Sequence, residues 1–379
     1  MGGTIVRDLL DSDEQSQVTL LDCDVARLES VAGILRSERL RQRRVDVLNT
    51  SETTRALEAH DVAISALPHG LSLRAIEAGI GAGVCVVDLV GEAPEKRAAL
   101  TDRALAAGVL VVPGCGVAPG ISNICVGHAV GLLDETDNAV IYVGGIPRRK
   151  EGPLQYETVF LLESVFNAYL RPVQAIIGGE RVVMEPRSGL EQVEFPEPIG
   201  TLEAFNNDGL ASLLLTIGDE IAGDLVEKTM RYPGHIEQIR FLEECGLLGK
   251  APVTCGGDQV VPFELLTEVL GPRLELGPDG DILVMRVVVE GTKDGKPQRH
   301  VFELIDYFDP VAGDTAMART TGFSATCAAR VVASGAVTQR GVLFPEQLFV
   351  GEHYAAFTAE LSGKGVLIEH RQEPSPPAR

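Results

Sequence analysis

The sequence predicts an α/β protein in two parts: a doubly wound parallel sheet over residues 1–122, and a second α+β domain with a mixed sheet over residues 123–314. Three observations predict it. The first stretch alternates short, continuous apolar runs with amphipathic ones, as parallel strands covered on both faces require. Beyond residue 123 the rhythm changes to longer alternating segments. Residues 315–370 then return a small-residue helix and a C-terminal segment suited to join the first domain.

Taken in order, Gly3–Leu10 reads as a helix and Val18–Asp22 as a short apolar strand ending in an acid. Val25–Leu40 is helix-like, Val45–Val47 closes a second strand, and Ser51 with Thr54 opens a helix. Asp61–Ala66 is a third strand, stopped by Pro68 and Gly70, and Leu71–Gly79 a helix. Val84–Asp88 is a fourth strand, Pro94–Ala107 helical, and Val109–Val112 a fifth strand before Pro113-Gly114. In the second domain the strand patterns are Ala139–Val143, Val173–Ile177, Arg181–Met184 and Asp281–Glu290. Helices are expected over Leu210–Ile217, His235–Cys245 and Val261–Leu270. Gly291–Gly295, between Arg286–Glu290 and His300–Asp306, signals a hairpin. Ala316–Ser334 is a long helix of small residues, and the tail over 371–379 is expected to be disordered.

Composition bounds the function. Hydrophobic residues make up 45% and charged residues 23%, as in a globular α/β protein. A net charge of −21 repels phosphate and argues against a nucleic-acid binder. The seven cysteines contain no C-x-x-C pair, which fits reduced thiols in a cytoplasmic protein, and no metal is expected. No apolar run has membrane-helix length, so no membrane partner is expected.

The order of elements resembles a Rossmann-type dinucleotide-binding domain, except at its start. Such a fold opens with a strand, then G-x-G-x-x-G, then a helix. Met1-Gly2 occupies the last two positions of that fingerprint, so Gly2 stands as its third glycine, and the first strand with the earlier glycines is expected upstream of Met1. Asp22 then falls about 20 residues after the turn, where a carboxylate accepts hydrogen bonds from the adenosine ribose and repels a 2′-phosphate. That favours NAD as cofactor. Asp24 is a rival for that role or for capping the next helix, and Asp46 is expected near the adenine.

Six later segments resemble the saccharopine dehydrogenase-like family, most closely its lysine 6-dehydrogenase branch. They are Gly114–Asn123, Tyr142–Pro147, Pro153–Tyr156, Glu203–Gly209, Lys228–His235 and Met317–Gly322, in the family's order. The resemblance implies an active site in a cleft between two domains, an amino-acid substrate and a homodimer formed through the second domain. It also implies backbone contacts to the cofactor from Ser65, Leu67 and Pro68, and from the Gly114, Gly116, Pro119 and Gly120 turn. Where glutamate-forming saccharopine reductases resemble one another in carrying Asp, this chain has Ala118, which fits a lysine-oxidising relative better.

Oxidising an amine needs a cation to grip the substrate carboxylate and a base for the ammonium proton. Arg231 is expected to bind the carboxylate, His235 to act as catalytic base, and Lys228 as a second cation or base. Asn123 and Tyr156 are expected to contact substrate. The function expected is NAD-dependent deamination of the ε-amine of L-lysine. The alternatives are reductive coupling of an amine with a carbonyl, or a binding protein without cofactor.

Overall fold

A computed structural model describes residues 1–374. The chain begins with α1 (Gly2–Ser12), β1 (Val18–Asp22), α2 (Val25–Leu35), β2 (Leu40–Arg44), α3 (Thr50–Leu57) and β3 (Val62–Ser65). There follow α4 (His69–Ala82), β4 (Cys85–Asp88), α5 (Pro94–Ala98), α6 (Thr101–Ala107), β5 (Leu110–Pro113) and α7 (Ile121–Leu132). The middle of the chain holds β6 (Glu135–Pro147), α8 (Leu162–Leu170), β7 (Val173–Ile177), β8 (Glu180–Met184), β9 (Glu191–Glu194) and β10 (Thr201–Asn206). Next come α9 (Leu213–Thr216), β11 (Leu225–Arg231), α10 (His235–Glu244), β12 (Val253–Cys255), β13 (Asp258–Val260) and α11 (Pro262–Leu270). Two long strands, β14 (Asp281–Lys293) and β15 (Lys296–Tyr307), precede α12 (Ala316–Ala333), β16 (Gly341–Val342), α13 (Pro345–Leu348), α14 (Glu352–Gly363) and β17 (Ile368–Glu373). No helix among the described residues is long and apolar enough to cross a membrane.

Two compact units result. The first holds residues 1–134, 211–220 and 318–368; the second holds 135–210, 221–317 and 369–374 of the described residues. The division differs from the sequence expectation at three places. Helix α7 and the segment around α9 belong to the first unit, while β17 belongs to the second. Of the tail expected to be disordered, Arg371–Glu373 lie in β17, and residues 375–379 fall outside the described residues.

In the first unit all strand pairs are parallel, in two sheets: β1–β2, and β16–β5–β4–β3. Strands β1 and β3 each keep one edge without a strand partner among the described residues. His60 Nε2 joins the two sheets through Thr19 Oγ1 at 2.9 Å. Burial follows this break. Strand β5 is buried throughout, whereas β1, with Val18, Leu20 and Leu21, is only half-buried along its length. The second strand, expected to close at Val45–Val47, is β2 and ends at Arg44; it is an edge strand whose side chains are mostly exposed. Charged side chains suit such an edge because they oppose further strand pairing. Helix α2 correspondingly stops at Leu35, short of the expected Leu40, with Arg36 left-handed at φ 44°.

The second unit is built on one nine-stranded mixed sheet. Its main path is β17-β15-β14-β6-β11-β10-β9, with β7 bonded to β11 and β8. The β14–β15 hairpin forms as expected and turns at Asp294-Gly295. Against one part of this sheet lies a core of Leu162, Val165, Phe166 and Tyr169 from α8 with Ile236 and Ile239 from α10. The α8 residues recur at i, i+3, i+4 and i+7, the spacing of one helix face.

Candidate functional site

Strand β11 carries the side chains of most interest, and strand alternation sorts them. Glu227, Thr229 and Arg231 share one face; Val226, Lys228 and Met230 take the other. Arg231 is 5% exposed. Its Nε donates to Tyr169 Oη at 2.8 Å and its Nη1 to the Met230 carbonyl at 2.8 Å. The guanidinium lies 5.0 Å from the Tyr156 ring centroid and 5.8 Å from that of Tyr169. Aromatic faces attract a cation but carry no net charge to cancel it. No carboxylate is bonded to Arg231 among the described residues.

The protons of this cluster can be placed from their partners. His235 opens α10 after Gly234, which takes the left-handed conformation at φ 89°. Its Nδ1 lies 2.8 Å from the Leu154 carbonyl, which only accepts, so Nδ1 carries the proton. Nε2 is then the acceptor for the Tyr169 hydroxyl at 3.1 Å. A directed chain follows: Arg231 donates to Tyr169, Tyr169 to His235, and His235 to Leu154. Burial, then the charge of Arg231, push the His235 pKa down to about 3. Leu154 has a strained left-handed φ of 61°, and α10 holds it from both sides, since its N–H donates to Gln238 Oε1 at 3.1 Å. The neighbouring Tyr156, 1% exposed, has a hydroxyl with no side-chain partner.

On the same face of β11, Glu227 is 2% exposed and its Oε2 has no hydrogen-bond partner. Burial first, then the nearby Asp208 carboxylate, push its pKa up to about 8, against the opposing pull of Arg231. The backbone of Gly209 lies directly against it: a Cβ there would sit 2.5 Å from the Glu227 carboxyl carbon.

Of the residues expected in the site, the structure brings Arg231, Tyr156 and His235 together. It corrects the roles of Lys228 and His235 and, as described below, that of Asn123. Lys228 lies on the opposite face of β11, where Nζ binds Glu191 Oε1 at 2.5 Å and the Gly189 carbonyl at 2.9 Å. His235 has both ring nitrogens engaged and a depressed pKa, so it orients Tyr169 rather than standing ready as a base. Two residues of the cluster were missed in the sequence. Tyr169 lies on α8 and Glu227 on β11, and neither element is among those read from the sequence.

The first unit places the expected cofactor residues at the carboxyl ends of parallel strands, where open α/β sheets bind ligands. Asp22 ends β1; Asp24 caps α2 through Ala26 N and Arg27 N, leaving Asp22 with one contact, from Asp24 N at 2.9 Å. Ser65 ends β3 and is buried, whereas Leu67 is half-buried and Pro68 exposed ahead of α4. Gly2 lies in the first turn of α1, but a Cβ there would meet nothing within 4 Å, so close packing does not demand this glycine. Asp46 is exposed and accepts from Leu48 N at 2.9 Å in the turn before α3, beyond the end of β2 at Arg44.

The Gly114–Asn123 segment folds on itself. Gly116 N donates to the Pro119 carbonyl at 2.9 Å, and a Cβ at Gly120 (φ 135°) would lie 1.9 Å from Gly116 O. Gly114 (φ 73°) and Gly116 are buried within this turn rather than lining an open surface. Asn123, expected to bind substrate, is 0% exposed. Its Oδ1 accepts from Ser122 Oγ at 3.0 Å and its Nδ2 donates to Ser212 Oγ at 3.3 Å, so it is corrected to a residue that braces the turn.

The dinucleotide implied by such a fold can be tested against these residues. Helix α1 presents the N–H groups of its first turn, a favourable site for a phosphate, and Asp22 keeps acceptor capacity for a ribose. The residues present therefore fit a pyridine dinucleotide.

Comparison with known proteins agrees. Residues 1–112 match the family model described as saccharopine dehydrogenase NADP binding domain, and residues 116–366 match the saccharopine dehydrogenase C-terminal domain. The chain is 22% identical to the NADP(+), L-glutamate-forming saccharopine dehydrogenase of Schizosaccharomyces pombe, covering 80% of this chain and 83% of that one. It is also 22% identical to the carboxyaminopropylagmatine dehydrogenase of Synechocystis, covering 92% and 90%. Against the mitochondrial alpha-aminoadipic semialdehyde synthase of Bos taurus it is 22% identical and spans 40% of that protein's length. The solved apo saccharopine dehydrogenase of Saccharomyces cerevisiae superposes with a TM-score of 0.81, at 18% identity and 98% coverage of both chains, which establishes the shared fold.

Proposed function

Since the chain belongs to the saccharopine dehydrogenase family, we propose that it is an NAD-dependent dehydrogenase acting on the CH–NH2 group of an amino acid. Its most direct substrate is L-lysine, oxidised at the ε-amine to the semialdehyde. The observation that carries the substrate class is Arg231, a buried guanidinium with no carboxylate bonded to it. A buried charge without a counter-ion is costly, and a substrate carboxylate relieves that cost. Nη2 makes no hydrogen bond within the described chain and is the group to receive it.

In this mechanism Arg231 fixes the carboxylate end of the substrate, and the Tyr156 and Tyr169 rings hold the guanidinium plane. His235, by accepting the Tyr169 proton, turns the lone pairs of that hydroxyl toward Arg231 Nε. Asp22 and the first turn of α1 hold the dinucleotide, which supplies the hydride acceptor when bound. Asp22 favours NAD over NADP by repelling a 2′-phosphate, although the matched domain is described as NADP-binding.

The test is formation of reduced nicotinamide from L-lysine with NAD or NADP. Turnover with lysine, faster with NAD, is expected. The printed name of the S. pombe relative supports a second reading, reductive coupling of an amine with a carbonyl. Consumption of NADPH with an aldehyde plus glutamate, and no lysine oxidation, would replace the first reading by the second. A homodimer formed through the second unit in the cytoplasm belongs to the same proposal; a monomeric mass by light scattering would remove the dimer.

A further inference from the structure

Glu227 has a geometry that no step above uses. It shares a strand face with Arg231, is 2% exposed, and leaves Oε2 without a partner. Glu227 and Arg231 nevertheless sense each other's charge. The charged groups acting on Glu227 are Asp208, in the segment after β10, and Arg231 on its own strand; Thr229 adds a hydroxyl. No cation is bonded to it among the described residues. Gly209 packs on its carboxyl group without a side chain between them, so the acid cannot retreat in that direction.

We propose that Glu227 is a positioning residue that tunes the Arg231 receptor: as a neutral acid it leaves the guanidinium charge to an incoming carboxylate, and once ionised it competes with that carboxylate. This rests on the carboxylate-binding role given to Arg231. The surroundings set the switch. Desolvation and Asp208 both oppose ionisation, so the acid form persists to about pH 8. Above that point a buried negative charge appears on the strand face that carries the receptor. A full charge acting over about 12 Å, roughly the span of four strand residues, at an effective dielectric of about 20 is enough to weaken anion binding about tenfold. The coupling is reciprocal, so a bound carboxylate makes Glu227 harder to ionise and draws a proton onto it.

The test uses the full chain and glutarate, whose two carboxylates stay ionised throughout the window. Calorimetric titration at pH about 6.5 and about 9.5, either side of the Glu227 value near 8, is expected to show roughly tenfold weaker binding at the higher pH. Glu227→Gln is expected to bind equally at both. Wild-type protein alone gives an independent readout: near pH 8, glutarate binding should take up a fraction of a proton, seen as a binding enthalpy that varies with the buffer's ionisation enthalpy. An equal loss of affinity in Glu227→Gln, or no proton uptake by the wild type, overturns the role of Glu227 and leaves that of Arg231 standing. Absence of glutarate binding at either pH, or unchanged binding in Arg231→Met, overturns both.

Discussion

Arg97 in the first unit and Arg231 in the second are almost equally buried, at 3% and 5% exposure. Their surroundings differ in the one respect that matters. Arg97 meets Asp88 at 3.3 Å and Ser72 Oγ at 2.6 Å, and it also bonds the Glu92 carbonyl. Asp88 is itself 0% exposed, so this arginine is buried together with a bonded carboxylate. Arg231 has two aromatic rings, a hydroxyl and a carbonyl, but no bonded anion. The nearest acid to influence it, Glu227, is held toward its neutral form. A buried arginine with its carboxylate is part of the fold; one without it is, in the function proposed above, a place prepared for a ligand.

The largest expected effect separates these two arginines. Arg97→Met should destabilise the protein by about 3–5 kcal/mol, because Asp88 is left buried and unpaired. Arg231→Met should change stability by only about 1 kcal/mol while weakening binding of a carboxylate substrate about a hundredfold or more. Denaturant melts and steady-state kinetics on both variants check this, and equal destabilisation would erase the contrast.

The next effect is on pH dependence, at about 1.4 kcal/mol per unit of pKa shift. His235 has a folded pKa near 3, below its ordinary 6.5, so the unfolded chain binds more protons between these values. Its contribution to stability is present above 6.5 and is lost as pH falls toward 3. Glu227 has the opposite sign. Raised from 4.5 to about 8, it contributes stability below 4.5 that is lost as pH rises to about 8. Melts across pH should flatten at the acid side in His235→Asn and at the neutral side in Glu227→Gln.

A smaller effect is expected at the hinge of the proton chain. Tyr169→Phe strips Arg231 Nε and His235 Nε2 of a partner together, at a cost of about 1–3 kcal/mol, with Tyr156 still in place. Smallest of all is Lys228→Ala. Its ion pair with Glu191 lies on the other strand face and is partly solvated, so a loss under about 1 kcal/mol and unchanged KM are expected. A large rise in KM would return Lys228 to the site.

Much of this was legible in the chain, and the exceptions have physical causes. Apolar runs announced β3, β4 and β5, and the Gly291–Gly295 turn announced the long hairpin. Strand β2, expected to close at Val45–Val47, ends at Arg44, because an exposed edge strand is held by backbone pairing and LRQRR carries no apolar period. Of the Lys228–His235 segment, expected to hold the site, alternation along β11 places Lys228 and Arg231 on opposite faces, and only Arg231 and His235 converge, on Tyr169. Tyr169 was invisible for the converse reason. Its ring obeys the apolar spacing of α8, and only the three-dimensional meeting with Arg231 and His235 shows that its hydroxyl matters. Asn123 looked available in a glycine-rich turn, whereas the turn consumes it.

The most direct test of the Arg231 receptor compares L-lysine with cadaverine, which keeps the amine and lacks the carboxylate, as substrates of the full chain. The expected kcat/KM for cadaverine is about a hundredfold or more below that for lysine, with the difference abolished in Arg231→Met. Equal turnover of the two amines by the wild type would contradict it.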